Sequence, residues 1–169
     1  MKNFLLFAII SLWGCMSKDL TVDQARLLIE KEYNLPRVMS HDIHCGDPRD
    51  AKKLSEKKFE ELGLVTIINK QTAQKGEPLI KFTKMADPYL LPITKEDKKF
   101  QIQKVKLADQ QISNIRIWNK IGGTTMAEYT ITRTNFTPFT LLVDKKTIAP
   151  EKKQVYFSRM QEQWVLENK

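Results

Sequence analysis

The stretch TTMAEYTITRTN (residues 124–135) alternates apolar and polar side chains strictly from Ala127 to Thr132. A period of two is typical of a β-strand that covers an apolar core with one face and meets water with the other. Three apolar residues share one face of this strand and three threonines share the opposite face: Ala127, Tyr129, Ile131, Thr130, Thr132 and Thr134. The stretch therefore limits the fold to classes that contain an antiparallel sheet with one covered face.

The neighbouring segments repeat this alternation less regularly. Gly122–Gly123 predicts a turn before residue 124, and Gln161–Glu162 predicts the turn of a final hairpin. Four further segments are predicted to be strands: FQIQKVKL (100–107), ISNIRIW (112–118), KQVYFSRM (153–160) and QWVLEN (163–168).

The N-terminal half of the chain shows a helical period instead. In residues 21–36, apolar side chains recur three and four positions apart, and Thr21 with Gln24 fits a capping box. A second helix is predicted in residues 46–64, with Asp47 as its N-cap.

After Gly63, which is expected to end the second helix in a left-handed conformation, the period changes to alternation. LVTIIN (64–69) and LIKFT (79–83) predict a hairpin around the polar segment KQTAQKGEP (70–78). The charged segment TKEDKK (94–99) is predicted to be a linker.

A subdomain boundary is accordingly placed near residue 95. It separates a helical and hairpin subdomain (21–95) from an antiparallel sheet subdomain (96–169). The expected fold class is α+β, with two N-terminal helices plus a hairpin, followed by an antiparallel β-sheet of about four to five strands.

The first residues show the pattern of a signal peptide. The apolar run Phe4–Trp13 has ten residues and follows Lys2. As a helix it would rise only about 15 Å, whereas crossing a bilayer requires roughly 20 residues. A run of this length after a positive charge is typical of a leader, here residues 1–14.

The leader ends in Leu12-Trp13-Gly14-Cys15, which resembles the lipobox of bacterial lipoprotein precursors, although Trp13 stands where a small residue is usual. The resemblance implies cleavage before Cys15, a diacylglyceryl group on its thiol and a lipidated tether over residues 15–20. It also implies a cell-envelope location, the outer membrane in a Gram-negative host because no aspartate follows Cys15. The alternative is an ordinary cleaved signal peptide.

The formal net charge is +8, and the leader contributes only Lys2, so residues 15–169 keep +7. A positive surplus favours anionic partners. The expected partners are the membrane, through the lipid on Cys15, and another envelope protein or anionic lipid headgroups. Alternatively, the interleaved lysines and acidic residues serve only solvation. Nucleic acid is not an expected partner, because the leader indicates export.

The segment HDIHCGDP (41–48) contains the two histidines, His41 and His44, beside Cys45. These ligand types suit zinc or copper, but a structural zinc site usually draws four ligands from two separate clusters. We interpret the segment as a polar loop between two helices, with no metal, no cofactor and an inert Cys45. The alternative is a small metal- or thiol-dependent enzyme centred on His41, His44 and Cys45.

Residues 98–168 resemble, in strand rhythm and in an expected buried Trp164, the curved sheets of cystatin-like and NTF2-like envelope domains; residues 21–83 resemble a winged-helix module. Four aromatic residues are expected in the core, with a groove on the sheet as the alternative: Trp118, Tyr129, Phe136 and Phe139. The expected function is non-catalytic, a binding or assembly module whose binding residues the sequence does not identify.

Overall fold

The computed structural model describes residues 19–68, 76–119 and 124–167. Over these ranges the chain forms a five-stranded antiparallel sheet, a two-stranded hairpin and short helices, which confirms the α+β class. The α-helices are α1 (Val22–Tyr33), α2 (Pro48–Glu56), α3 (Lys95–Lys99) and α4 (Lys145–Ile148), and two 3-10 helices span Lys84–Tyr89 and Pro138–Leu142. The strands are β1 (Arg37–His44), β2 (Val65–Ile67), β3 (Ile80–Phe82), β4 (Ile102–Asn119), β5 (Thr125–Thr134), β6 (Glu151–Met160) and β7 (Gln163–Glu167).

Some predicted features lie outside the described residues. They are the leader, Cys15 with the tether up to residue 18, part of the polar segment 70–78 and the Gly122–Gly123 turn.

Helix α1 begins at the predicted capping box and ends at Tyr33, before the predicted limit at residue 36. The Gln24 backbone N–H donates to the Thr21 hydroxyl at 3.2 Å, and the Thr21 N–H donates to the Gln24 side chain at 3.1 Å. Asn34 ends the helix with a φ of 51°. Ala25 and Ile29 are fully buried against the sheet, so the helix covers it with one face.

Helix α2 is shorter than predicted. Its N-cap Asp47 is confirmed, but it ends at Glu56, well before Gly63. Lys58 has a φ of 63°, which a right-handed helix does not allow. This turn directs Phe59 into the core, where none of it is exposed. Gly63 has the predicted positive φ, here 69°.

The prediction of a loop over HDIHCGDP was wrong, because residues 41–44 belong to strand β1. This strand lies at one edge of the described sheet, whose order is β1-β4-β5-β6-β7. Backbone pairing with β4 holds it, as in His41 opposite Val105 and His44 opposite Ile102. Polar side chains suit an edge strand, since one of its faces meets water.

The two strands predicted over 100–107 and 112–118 are one strand, β4. Its apolar pattern changes phase at two bulges. Leu107 is an extra residue opposite β1, and Asn114 with Ile115 lies opposite Tyr129 alone. After a bulge the strand keeps the same face toward the core, but the extra residue changes the inward-facing positions from odd to even numbers or back. One continuous strand therefore shows two alternation patterns in the sequence.

Strand β5 and the last hairpin match the prediction. Ala127 and Tyr129 are buried on the inner face of the sheet, the face that the helices cover. Gln161 and Glu162 have φ values of 47° and 68°, as a two-residue hairpin turn with positive φ at both positions requires.

The predicted linker TKEDKK contains helix α3. Thr94 and Asp97 form a capping box, in which the Thr94 N–H donates to the Asp97 carboxylate at 2.8 Å. The cap stabilises a single helical turn directly before β4.

Two hydrophobic clusters lie side by side on the inner face of the described sheet, and each contains residues from both sides of residue 95. The hairpin-side cluster consists of Ile43, Cys45, Ala51, Leu54, Phe59, Leu64, Val65, Leu79, Ile80, Ala86, Val105, Leu107, Phe139 and Leu142. The helix-side cluster consists of Leu20, Ala25, Ile29, Leu35, Ile112, Ala127, Tyr129, Val155 and Phe157. Strand β4 contributes to both clusters.

Candidate functional site

The structure separates the two histidines that the sequence places together. His41 lies on the inner face of β1 and is partly buried, whereas His44, three positions later, is exposed on the opposite face. The Asp50 carboxylate accepts the His44 backbone N–H at 2.7 Å and lies 3.4 Å from His44 Nδ1. Within residues 19–68, 76–119 and 124–167, no group of three His, Cys, Asp or Glu side chains converges as metal ligands do.

His41 is electrostatically unsuited to carrying a charge. Burial lowers its pKa, and the nearby Lys53 ammonium lowers it further. His41 therefore stays a neutral imidazole at neutral pH.

Cys45 is buried in the hairpin-side cluster and is 8% exposed. Its thiol faces the Ile43 carbonyl oxygen, with 3.8 Å between sulfur and oxygen. Burial raises the pKa of the thiol, and the Asp50 carboxylate raises it further. Both effects disfavour the thiolate, which is the reactive form.

We expect Cys45 to react slowly with a soluble disulfide reagent. In a Cys15→Ser variant of the full chain at pH 8, the native protein should react at least about tenfold more slowly than the urea-unfolded protein, because the thiol is buried and protonated. The release of the coloured thiol measures the rate. Equal rates in the two states would show that Cys45 is accessible.

A different group of residues forms a cavity of about 420 Å³ on the inner face. We call it the arginine cleft. It lies where the C-terminal end of α1 meets strands β1, β4, β5 and β6. Its lining residues are Tyr33, Leu35, Arg37, Gln110, Tyr129, Ile131, Arg133, Glu151, Lys153 and Gln154.

Strand register places a polar row across the cleft. Arg37 of β1 lies opposite Gln110 of β4, and Gln110 lies opposite Arg133 of β5. The Arg37 Nε–H donates to Gln110 Oε1 at 2.9 Å, and Gln110 is only 7% exposed. The buried Gln110 amide thus orients the side chain of Arg37, a residue that is otherwise exposed.

Arg133 is the most enclosed charged group of the cleft. Its side chain is 8% exposed, Nη1 donates to the Ala149 carbonyl, and Nη2 lies 3.8 Å from Glu151 Oε2. Its Nε–H is buried and has no hydrogen-bond partner among the described residues. Native proteins satisfy most buried donors, so an unpaired donor on a residue that lines the cleft indicates unused binding capacity.

Glu151 and Lys153 form an ion pair along β6. A hydrogen bond from Lys153 lowers the pKa of Glu151, and the Arg133 charge lowers it further. The cleft is therefore lined by three cations (Arg37, Arg133 and Lys153) against one carboxylate, a formal charge of +2.

The cleft is also lined by aromatic and aliphatic residues. The ring centroids of Tyr33 and Tyr129 are 6.3 Å apart. Burial raises the pKa of Tyr129, and its hydrogen bond with Tyr33 raises it further, so the hydroxyl stays neutral. Leu35 and Ile131 add to the apolar lining.

None of these cationic residues is singled out by a sequence motif. One signal does exist, since Arg133 continues the inward-facing series Ala127, Tyr129 and Ile131. An arginine at a position that the alternation assigns to the covered face requires a partner or a ligand.

No protein-family model, curated protein or solved structure matches this chain. In the part of the chain that the structure describes, no helix has both the length and the apolar character needed to cross a bilayer.

Proposed function

We propose that the chain is a bacterial envelope lipoprotein, anchored through Cys15, whose folded body is a non-catalytic binding or assembly module. The observation that carries the binding role is the arginine cleft, a cavity built from five elements whose lining combines fixed polar groups with aromatic and aliphatic side chains. In small-molecule sites a few polar groups fix the orientation of the ligand and apolar side chains cover it; this cleft offers both kinds of residue, with the polar ones in the majority.

The proposed anchor is supported by Leu12-Trp13-Gly14-Cys15 and by the short apolar leader before it. Helix α1 begins at Val22, and Leu20, the last residue of the predicted tether 15–20, is already buried in the helix-side cluster, so the tether is short and would hold the body close to the bilayer. Several acyl chains on one cysteine give stable attachment, whereas a single chain binds only marginally. The proposed location is the cell envelope, with the outer membrane favoured in a Gram-negative host.

The anchor is tested by expressing the chain with its own leader in a Gram-negative bacterium. We expect the N-terminal peptide to begin at Cys15 and to carry the added mass of acyl chains, and the protein to sediment with membranes. The Cys15→Ser variant should lack the added mass and leave the membrane fraction. A wild-type N-terminus elsewhere, without lipid, would contradict the anchor.

A further inference from the structure

We propose that the arginine cleft binds a small molecule or molecular group that joins an oxyanion, carboxylate or phosphate, to an apolar or aromatic portion. This inference rests on the proposed function as a binding module. It deepens that function by naming the chemical class of the ligand.

The charge of the cleft selects the sign of the ligand. Arg37, Arg133 and Lys153 outnumber the single carboxylate, Glu151, and Glu151 is already engaged by Lys153. A guanidinium offers parallel N–H donors that match the two oxygens of a carboxylate or phosphate. An anion is therefore the ligand that this cleft can bind with complementary charge.

The packing of the fold alone does not explain one feature of Arg133, its unpaired Nε–H. A side chain with 92% of its surface buried usually has every donor satisfied, yet its Nε–H has no acceptor among the described residues. Its terminal nitrogens are directed to Ala149 and Glu151. An oxygen of a bound anion would complete the hydrogen bonds of this guanidinium.

The apolar lining residues and the volume of the cleft restrict the rest of the ligand. Tyr33, Leu35 and Ile131 face the same cavity as the arginines. At about 420 Å³ the cavity falls within the range of roughly 300–1,000 Å³ that is typical of small-molecule sites. The ligand is thus a small amphiphilic anion, either free or as the headgroup of an anionic lipid.

The test uses the full chain, purified in a neutral detergent, and titration calorimetry with two probes, phenyl phosphate and benzoate. Benzyl alcohol, which has the ring without the charge, serves as the neutral control. We expect saturable binding of at least one anion at one site per chain, with an affinity that falls as salt is raised. Binding of benzyl alcohol should be at least about tenfold weaker, because charge-assisted hydrogen bonds are lost.

The variants place the binding in the cleft. Arg133→Gln should weaken anion binding by about tenfold or more, as expected for the loss of a charged donor. Lys152→Gln is the control. It also removes one positive charge, but from an exposed residue between Glu151 and Lys153 of β6 that pairs with Thr130 on the outer face. Its affinity should change less than about twofold, because an exposed charge outside the cleft acts only through screened electrostatics.

Because Arg133 is buried, the fold of its variant is checked by far-ultraviolet circular dichroism, and Arg37→Gln provides a second variant at an exposed residue. Arg37→Gln should also weaken anion binding. The proposal is overturned if the folded wild type binds neither anion, or if Lys152→Gln weakens binding as much as the arginine variants do.

The anchor and the ligand can fail separately. Anion binding without lipid on Cys15 would contradict the anchor alone, whereas a lipidated chain that binds neither anion would contradict only this inference.

Competition identifies the source of the anion. Phosphatidylglycerol vesicles that displace phenyl phosphate, where phosphatidylcholine vesicles do not, assign the group to a lipid headgroup. A lack of displacement by either vesicle assigns it to a free small molecule.

Discussion

Replacing Phe139 with alanine is expected to lower the free energy of unfolding by about 4 kcal/mol, the usual cost of removing a fully buried phenylalanine. None of Phe139 is exposed. Its ring stacks on Phe59 with 5.2 Å between centroids and contacts Phe82 and Tyr89 at 6.2 and 6.1 Å. The substitution therefore leaves a cavity bounded by three other rings, which cannot close without moving several elements.

Urea unfolding of the Cys15→Ser chain, followed by far-ultraviolet circular dichroism, measures this loss. Phe136→Ala is the matched control, since Phe136 lies three residues earlier and is 53% exposed. It should change the free energy of unfolding by less than about 0.5 kcal/mol. Similar losses in the two variants would contradict the assignment of Phe139 to the core.

The position of Phe139 depends on local hydrogen bonds that end β5. The Phe139 N–H donates to the Thr137 hydroxyl at 3.2 Å, and that hydroxyl contacts the Lys106 carbonyl of β4. The 3-10 helix at Pro138–Leu142 is thereby fixed over the first half of β4. A C-terminal segment thus completes a cluster that is otherwise built from residues 43–107.

Features that depend on neighbours in the sequence could be predicted from it. The capping box at Thr21 and Gln24, the N-cap at Asp47 and the alternation of β5 each involve residues within a few positions of one another. Short-range hydrogen bonds and a regular period of burial leave a direct trace in the amino-acid pattern.

Features that depend on distant pairing could not be predicted. Strand β1 contains polar residues and is held by backbone bonds to β4, about 65 residues later in the chain. The bulges of β4 shift the alternation at Leu107 and Asn114, so the pattern resembles two strands.

The expectation that four aromatic residues lie in the core was right for Tyr129 and Phe139. It was wrong for the other two, since Trp118 is 42% and Phe136 is 53% exposed.

At the candidate site, too, the prediction rested on sequence neighbours, whereas the residues that actually meet are distant in sequence. Proximity in sequence made His41 and His44 conspicuous, yet a spacing of three directs two side chains to opposite faces of a strand. Arg37, Gln110 and Arg133 are far apart in sequence and meet only through register. Predicting the cleft would have required the strand order, and with it the position of both bulges.

Replacing Ile29 with alanine is expected to lower the free energy of unfolding by about 3 kcal/mol, within the range for a buried isoleucine. Ile29 is fully buried on the face of α1 that covers the helix-side cluster. Leu27→Ala on the same helix is the matched control, because Leu27 is 66% exposed and leucine and alanine are both good helix formers. It should be nearly neutral, and a loss equal to that of Ile29→Ala would mean that α1 does not pack as the structure shows.

The two core variants together test how the clusters are coupled. Phe139 belongs to the hairpin-side cluster and Ile29 to the helix-side cluster, but strand β4 supplies buried residues to both. Separating β4 from either cluster exposes part of the other, so unfolding should remain one cooperative transition. Trp164 packs against the helix-side cluster, so in a chain whose Trp13 and Trp118 are replaced by phenylalanine its fluorescence should report the loss caused by Phe139→Ala at the same urea midpoint as circular dichroism does. Two separate midpoints would instead show that the two clusters unfold independently.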